Sequence, residues 1–264
     1  MLGLFFGCLL VAFGPAAVFL LDVVLHHSHL TVLSIVAAFY ELIGFLLTSL
    51  LWFVIPSEFT GRTATALVFG VFLQELMRFL FVASYGRGEI GLAKASGISV
   101  LPFTDFPSAI SSGFGFGLMY ALLVYGSVLG KSTGEADFFA TSCPSTSIFL
   151  VEAFCTLAMQ VLHVALMVLA FDAWRRKSDG IFRFKRVSSV LVLHLLASLA
   201  TLINQDASIG GCSLGIPLLF VVVVATIVYV IKVVKEVDYK TKGNIGHAQN
   251  RDSVQHSTGG INQE

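Results

Sequence analysis

Seven long runs of apolar residues, separated by short polar segments, make up most of the chain. Each run is near or above the roughly 20 residues that an α-helix needs to cross a bilayer. Strands of a membrane β-barrel are about half as long and alternate in polarity, so the pattern excludes that fold. The sequence therefore predicts an all-α polytopic membrane protein with seven transmembrane helices, at about residues 2–24, 30–55, 64–84, 107–130, 147–173, 187–204 and 214–234.

The positions of lysine and arginine predict an orientation. With seven spans, 13 of the 16 Lys and Arg residues fall in loops one, three and five, at the cytosolic end of the last span (Lys232) or after it. Cytoplasmic loops carry this excess of basic residues, so we expect the N-terminus outside and the C-terminus in the cytosol. Residues 1–237 would form the transmembrane domain. Residues 238–264 are polar and rich in Gly, Asn, Gln, Ser and His, and we expect a disordered cytosolic tail there.

Composition narrows the choice of partners. Hydrophobic residues make up 56% of the chain and charged residues 12%, with a mean hydropathy of +0.87, whereas soluble domains carry about 25% charged residues. The lipid bilayer is therefore an expected partner. The formal net charge is zero, so the chain has no basic field that would attract nucleic acid, and we expect none to bind.

Several polar residues lie inside the predicted spans, where an ionisable group survives only if it faces a partner or a cavity. Glu75 and Arg78 are three residues apart on one helix and can form an ion pair. His163 and His194 lie in consecutive spans, so they can meet or share a partner. The full set is Glu41, Gln74, Glu75, Arg78, Glu152, His163 and His194.

Metal chemistry is not favoured by this set. Zinc needs three or four ligands, and the two histidines supply two. Glu152 precedes His163 by 11 residues, which is about 16 Å along a helix, too far to complete the site. We therefore expect no metal or cofactor. Glu41 has no partner nearby in the sequence, which makes it a candidate for a contact that the sequence does not name.

Span four carries small residues at every fourth position, namely Gly113, Gly117 and Ala121. Residues at that spacing share one helix face, and small side chains let another helix approach closely. Two interpretations are open: the stripe packs against another span of this chain, or it is a docking face for a span of a partner protein.

Two cysteines, Cys143 and Cys212, fall in the predicted outside loops four and six. That compartment permits disulfides, so the two residues are a candidate pair that would tie span five to span seven. The sequence leaves open whether the loops approach each other. Cys8 and Cys155 fall inside spans, where we expect them to pack as small apolar side chains.

Five stretches, in order, resemble a known family. They are FFGC and VAFGPA within 5–16, LQE and RF within 73–79, SGFGFG at 112–117, LH and FDA within 162–173, and HLL and TLIN within 194–204. They cover five of the seven spans. Together they resemble the anterior-pharynx-defective family, the seven-span scaffold subunit of γ-secretase.

The resemblance implies a function without catalysis. Such a subunit stabilises nicastrin and presenilin and assembles with the presenilin enhancer subunit. The complex cleaves type I membrane proteins such as Notch and amyloid precursor protein, and the family occupies the endoplasmic reticulum, Golgi, plasma membrane and endosomal system. The family's glycine motif resembles Gly113, Gly117 and Ala121, although its third position is usually Gly. Its two membrane histidines, implicated in assembly and presenilin contact, resemble His163 and His194.

Other classes of seven-span protein fit the sequence less well. A G-protein-coupled receptor would show a D-R-Y-like triplet after span three, where this chain has Ala83, Ser84 and Tyr85. A transporter would show a repeat of interrupted helices, and none is apparent. An intramembrane enzyme that uses His163 and His194 as acid and base would need a nucleophile or a metal, and the sequence offers no motif for either.

Overall fold

The computed structural model is nearly all helical, and its described part contains seven helices long and apolar enough to cross a membrane, as predicted. The structure describes residues 2–54, 63–96, 105–133, 139–140, 142–175, 180–204, 208 and 211–258. The helices are α1 Leu2–Phe19, α2 Ser28–Val54, α3 Thr63–Ser96, α4 Asp105–Leu129, α5 Ile148–Arg175, α6 Gly180–Ile203 and α7 Gly211–Thr258.

Short elements extend or join these helices. A π-helical turn, Leu20–Val24, continues α1 beyond Pro15, which lies inside the helix. Between α4 and α5 lie a 3₁₀ turn, Gly130–Thr133, and an antiparallel pair of strands, β1 Phe139–Ala140 and β2 Cys143–Ser147. The strand pair is a small departure from the all-α prediction. An extended segment outside the helices has to pair its backbone groups, and the ladder between β1 and β2 does so.

The chain divides into two compact units, Met1–Thr226 and Ile227–Glu264. The first unit holds six helices and the first part of α7. The second unit begins inside α7 and continues as helix to Thr258. The disorder expected for residues 238–264 stays a prediction, and residues 259–264 lie outside the described part of the chain. No proline follows Pro217, so nothing in the sequence interrupts the backbone hydrogen bonds that the membrane helix begins.

Helix α5 lies at the centre of the first unit. Of its membrane span 78% is buried, against 50% or less for the other six. Small side chains let neighbouring helices come close on more than one side, and Ala153, Ala158 and Ala170 are all buried on α5. Helix α4 packs between α2 and α5, as its glycine contacts show below.

Helix α1 joins α5 through one face. Cys8, Ala12 and Ala16 recur every fourth residue and are its buried side chains. Gln160 of α5 reaches this face and donates its side-chain N–H to the Ala12 carbonyl oxygen at 2.7 Å. Cys155 is also buried and unpaired to another cysteine. The two membrane cysteines therefore pack as small side chains, as predicted.

Candidate functional site

Five ionisable side chains converge halfway along their helices, and we call them the polar cluster: Glu41, Glu75, Arg78, His163 and His194. They come from four helices, α2, α3, α5 and α6. Glu41 and both histidines are 0% exposed, and Arg78 is 1% exposed. Glu75 is only partly buried, with 14% of its side chain exposed. The other four residues of the cluster therefore lie inside the bundle, and Glu75 lies at its edge.

Arg78 connects α3 to α5. Its Nε donates to Oε2 of Glu75 at 3.2 Å, and its Nη1 donates to the backbone carbonyl of His163 at 3.1 Å. Its Nη2 lies 3.0 Å from Nδ1 of His163. A guanidinium only donates, so Nδ1 accepts and Nε2 of His163 carries the ring proton. The guanidinium also lies 5.2 Å from the ring centroid of Phe116 on α4, within the range of a cation–π contact.

Glu75 connects α3 to α6. Its Oε1 accepts a hydrogen bond from Nδ1 of His194 at 2.6 Å, while Oε2 stays with Arg78. The rings of His163 and His194 meet edge to face, with centroids 5.1 Å apart. The i, i+3 pair expected from the sequence is thus one link of a longer chain, in which Arg78 and Glu75 each hold one histidine.

Glu41 faces the interior of the bundle. Its carboxylate lies close enough to Arg78 and Glu75 to interact electrostatically, but neither oxygen has a hydrogen-bond partner among the described residues. Nε2 of both histidines is also without one in the same part of the chain. Since buried polar atoms are normally hydrogen-bonded, the cluster retains unused hydrogen-bonding capacity on Glu41, His163 and His194.

Tyr120 of α4 borders the cluster. Its ring centroid lies 5.1 Å from that of His163 and 6.2 Å from that of Phe45, one helical turn beyond Glu41. Helices α2 and α3 also pack closely here, because a Cβ added to Gly44 would lie 3.3 Å from Cγ of Met77. Aromatic and small side chains therefore enclose the charges on the α2 and α4 sides.

Glu152 does not join the cluster. It is partly buried in the second turn of α5, and it has no hydrogen bond or ion pair to any described residue. No group of three or more His, Cys, Asp or Glu side chains in the described part of the chain is arranged to hold a metal ion. The arrangement is suited to joining helices by ion pairing and hydrogen bonding.

The glycine stripe of α4 packs against α5 of the same chain. A Cβ added to Gly113 would lie 2.6 Å from Cα of Val164, and one added to Gly117 would lie 2.9 Å from the carbonyl oxygen of Gln160. Ala121 continues the stripe and is 0% exposed. Of the two interpretations of Gly113, Gly117 and Ala121, the contacts of both glycines with α5 agree with internal packing, and docking of a partner's span stays a prediction. Spacing alone identifies a close-packed face but not the helix that covers it.

The opposite face of α4 carries a contact that the sequence analysis missed. A Cβ added to Gly115 would lie 2.1 Å from the backbone oxygen of Ser34 on α2. One turn earlier, the hydroxyls of Ser111 and Ser34 are 2.7 Å apart, and that of Ser111 donates to the Leu30 carbonyl at 2.7 Å. A signal existed, because Ser111 and Gly115 are themselves small residues four positions apart.

The candidate cysteines lie together. Cys143 on β2 and Cys212 in the first turn of α7 form a disulfide, with Cα atoms 6.1 Å apart. The disulfide lies at the end of the bundle where α5 and α7 begin and α6 ends, whereas the polar cluster lies halfway along its helices.

Comparison with known proteins decides the family. The profile of the family described as "Aph-1 protein" matches residues 3–237, nearly the whole chain. The chain belongs to the Aph-1 family. Membership agrees with the resemblance noted in the sequence and with a multi-pass membrane protein. It favours this family over the receptor and transporter classes.

Curated relatives in animals and plants are similar along most of their length. The human protein named gamma-secretase subunit APH-1B is 32% identical over 221 residues, which is 79% of this chain and 82% of the relative. The Arabidopsis thaliana protein named gamma-secretase subunit APH1-like is 30% identical over 237 residues, 86% of this chain and 91% of the relative. The Drosophila melanogaster gamma-secretase subunit Aph-1 is 28% identical over 204 residues.

Proposed function

We propose that this chain is a non-catalytic scaffold subunit of a γ-secretase complex, stabilising nicastrin and presenilin and assembling with the presenilin enhancer subunit. Membership of the Aph-1 family supports the assignment, since its relatives are named as γ-secretase subunits. The complex would cleave type I membrane proteins such as Notch and amyloid precursor protein. It would act in the endoplasmic reticulum, Golgi, plasma membrane and endosomes, with the N-terminus of this chain outside and its C-terminus in the cytosol.

The observation that supports a non-catalytic role most directly is that the residues of the polar cluster form their hydrogen bonds with one another. Arg78 and Glu75 use their bonds to hold His163 and His194. Both histidines are 0% exposed, which supports a role inside the bundle. Their contribution to the complex is to fix α3, α5 and α6 relative to one another, which sets the shape of the outer surface that partners meet.

Co-purification in mild detergent tests the assembly. The tagged chain, expressed in cells that lack their own Aph-1 proteins, should retain nicastrin, presenilin and presenilin enhancer, identified by mass spectrometry. A matched variant, His163→Ala with His194→Ala, should retain less of all three. Recovery of the tagged chain alone, in amounts that match its expression, would refute the scaffold assignment.

A second measurement separates scaffolding from catalysis. Cleavage of a Notch-derived substrate is measured and divided by the amount of assembled complex. If the histidines position helices, the double variant should lower the amount of complex more than the activity of each complex. A catalytic role would give the reverse: a normal yield of complex with cleavage reduced by about 100-fold or more, the scale on which a general acid or base contributes.

A further inference from the structure

Five described residues connect the helices at the end of the bundle where α6 ends and α7 begins, and we call them the corner: Ser142, Cys143, Cys155, Asn204 and Cys212. The disulfide joins Cys143 to Cys212 across 69 residues. The hydroxyl of Ser142 donates to the backbone oxygen of Asn204. The side-chain amide of Asn204 lies 3.1 Å from Sγ of Cys155 on α5. One residue at the end of α6 is therefore connected to both the disulfide segment and α5.

Helix α7 enters the corner through two glycines. Gly211 has a φ of +56°, and a Cβ added there would lie 2.6 Å from Cβ of Ser142. One turn later, a Cβ added to Gly215 would lie 2.1 Å from Oδ1 of Asn204 and 3.0 Å from the Ala200 carbonyl oxygen. A positive φ strains any residue that has a side chain. Both glycines are thus needed for α7 to approach this closely.

Directly beneath the disulfide the packing is incomplete. A groove of about 430 Å³ separates the first turns of α5 from those of α7, lined by Thr146, Leu150, Val151, Phe154, Ile216 and Phe220. On the outward side of α7, Leu214, Leu218 and Val221 are exposed. Leu219 is the buried apolar side chain of this stretch, while the covalent link and the Asn204 contact hold the first turns of α7 above the groove.

We propose that the Cys143–Cys212 disulfide and Asn204 form a redox-sensitive latch that fixes the first turns of α7 against α5 and α6. A dithiol reductant opens the latch by exchange. One of its thiolates attacks a sulfur of the disulfide, and its second thiol displaces the remaining protein sulfur. Two electrons and two protons pass to Cys143 and Cys212 as free thiols, and the reductant becomes a disulfide. The first turns of α7 then move away from Asn204, so α7 docks fully only in a compartment that oxidises thiols.

Counting thiols tests the covalent part. Four cysteines are present in the chain, and Cys8 and Cys155 are thiols that form no disulfide in the described part of the chain. The full-length protein, denatured without reductant, should react with two equivalents of maleimide, and with four after treatment with a dithiol. Four equivalents before reduction would overturn the proposal.

A pair of substitutions tests whether the link holds α7 in place. Gly215→Ala forces a Cβ onto Asn204, and α7 cannot move away while the disulfide pins it. The loss of apparent Tm caused by Gly215→Ala should therefore shrink by at least half in a Cys143→Ser, Cys212→Ser background. Gly126→Ala is the matched control, because a Cβ there meets nothing within 4 Å and its effect should be the same in both backgrounds. An equal loss from Gly215→Ala in the two backgrounds would overturn the latch.

Discussion

Helix α4 meets its neighbours through glycines, whereas α3 meets α5 and α6 through charged side chains. At Gly115 and Gly113 the neighbouring backbones come so close that no side chain fits between them. At Arg78 and Glu75 the long side chains bridge the gap between helices by hydrogen bonds. The glycine contacts set how close the helices pack and tolerate no added volume. The polar contacts set which residues face one another and tolerate no loss of a partner.

The largest expected effect comes from breaking the polar contacts. Arg78→Met leaves the Glu75 carboxylate with His194 alone and removes both bonds to His163. Removing one partner of a buried ion pair costs about 3–5 kcal/mol. We expect a large fall in apparent Tm in detergent and little assembled complex. Arg78→Lys, which keeps the charge but cannot form the same fork of bonds, should recover part of the loss.

Glu41→Gln is the matched control for Arg78→Met. Glu41 is as deeply buried but has no hydrogen bond to lose among the described residues. We expect its apparent Tm to equal or exceed that of the unchanged chain. If Arg78→Met and Glu41→Gln behaved alike, the hydrogen bonds of the cluster would not be what stabilises it.

An intermediate effect is expected at the glycine contact with α2. Gly115→Ala places a Cβ against the backbone of Ser34, which cannot rotate away, so α2 and α4 must separate. Such overpacking costs about 1–3 kcal/mol, measured as a fall in apparent Tm. Gly126→Ala on the same helix is open to space and should be neutral or slightly stabilising, because Ala favours helix over Gly. Equal effects of the two substitutions would show that the close approach at Gly115 is not a constraint.

The smallest effect is expected where the two kinds of contact coincide. Ser111→Ala keeps the small volume on the Gly115 face and removes the bonds of the Ser111 hydroxyl to the Ser34 hydroxyl and the Leu30 carbonyl. The bond from Ser34 to the Ser111 backbone oxygen remains. Hydrogen bonds between membrane helices contribute on average about 0.6 kcal/mol, so the apparent Tm should fall only slightly. Ser111→Val also lacks the hydroxyl and adds volume, so the apparent Tm of this variant should fall further. Equal losses for Ala and Val would mean that the hydroxyl, and not the space, dominates this face.

The parts of the fold that depend on local sequence could be predicted. Seven apolar runs of membrane length give seven helices, and Glu75 with Arg78 pair because they lie three residues apart on one helix. The other partner of Arg78 is His163, 85 residues later. No local sequence pattern predicts a contact between residues so far apart in the chain. The spacing of Gly113 and Gly117 identifies a close-packed face but does not distinguish α5 of this chain from a helix of another protein. The stripe of Gly113 and Gly117 predicts close packing on one face of α4 only, and Gly115 lies on the opposite face, against α2.

The sequence separations within the polar cluster have a consequence for biosynthesis. His194 follows Glu75 by 119 residues, so at about 5–20 residues per second the ribosome makes it about 6–24 s later. Until His163 is made, 85 residues after Arg78, the bond between Glu75 and Arg78 is the one hydrogen bond of the polar cluster that can form among the described residues. The contact between neighbouring turns of α3 is thus the first to form. The histidines of α5 and α6 then join a charge pair that has already crossed into lipid.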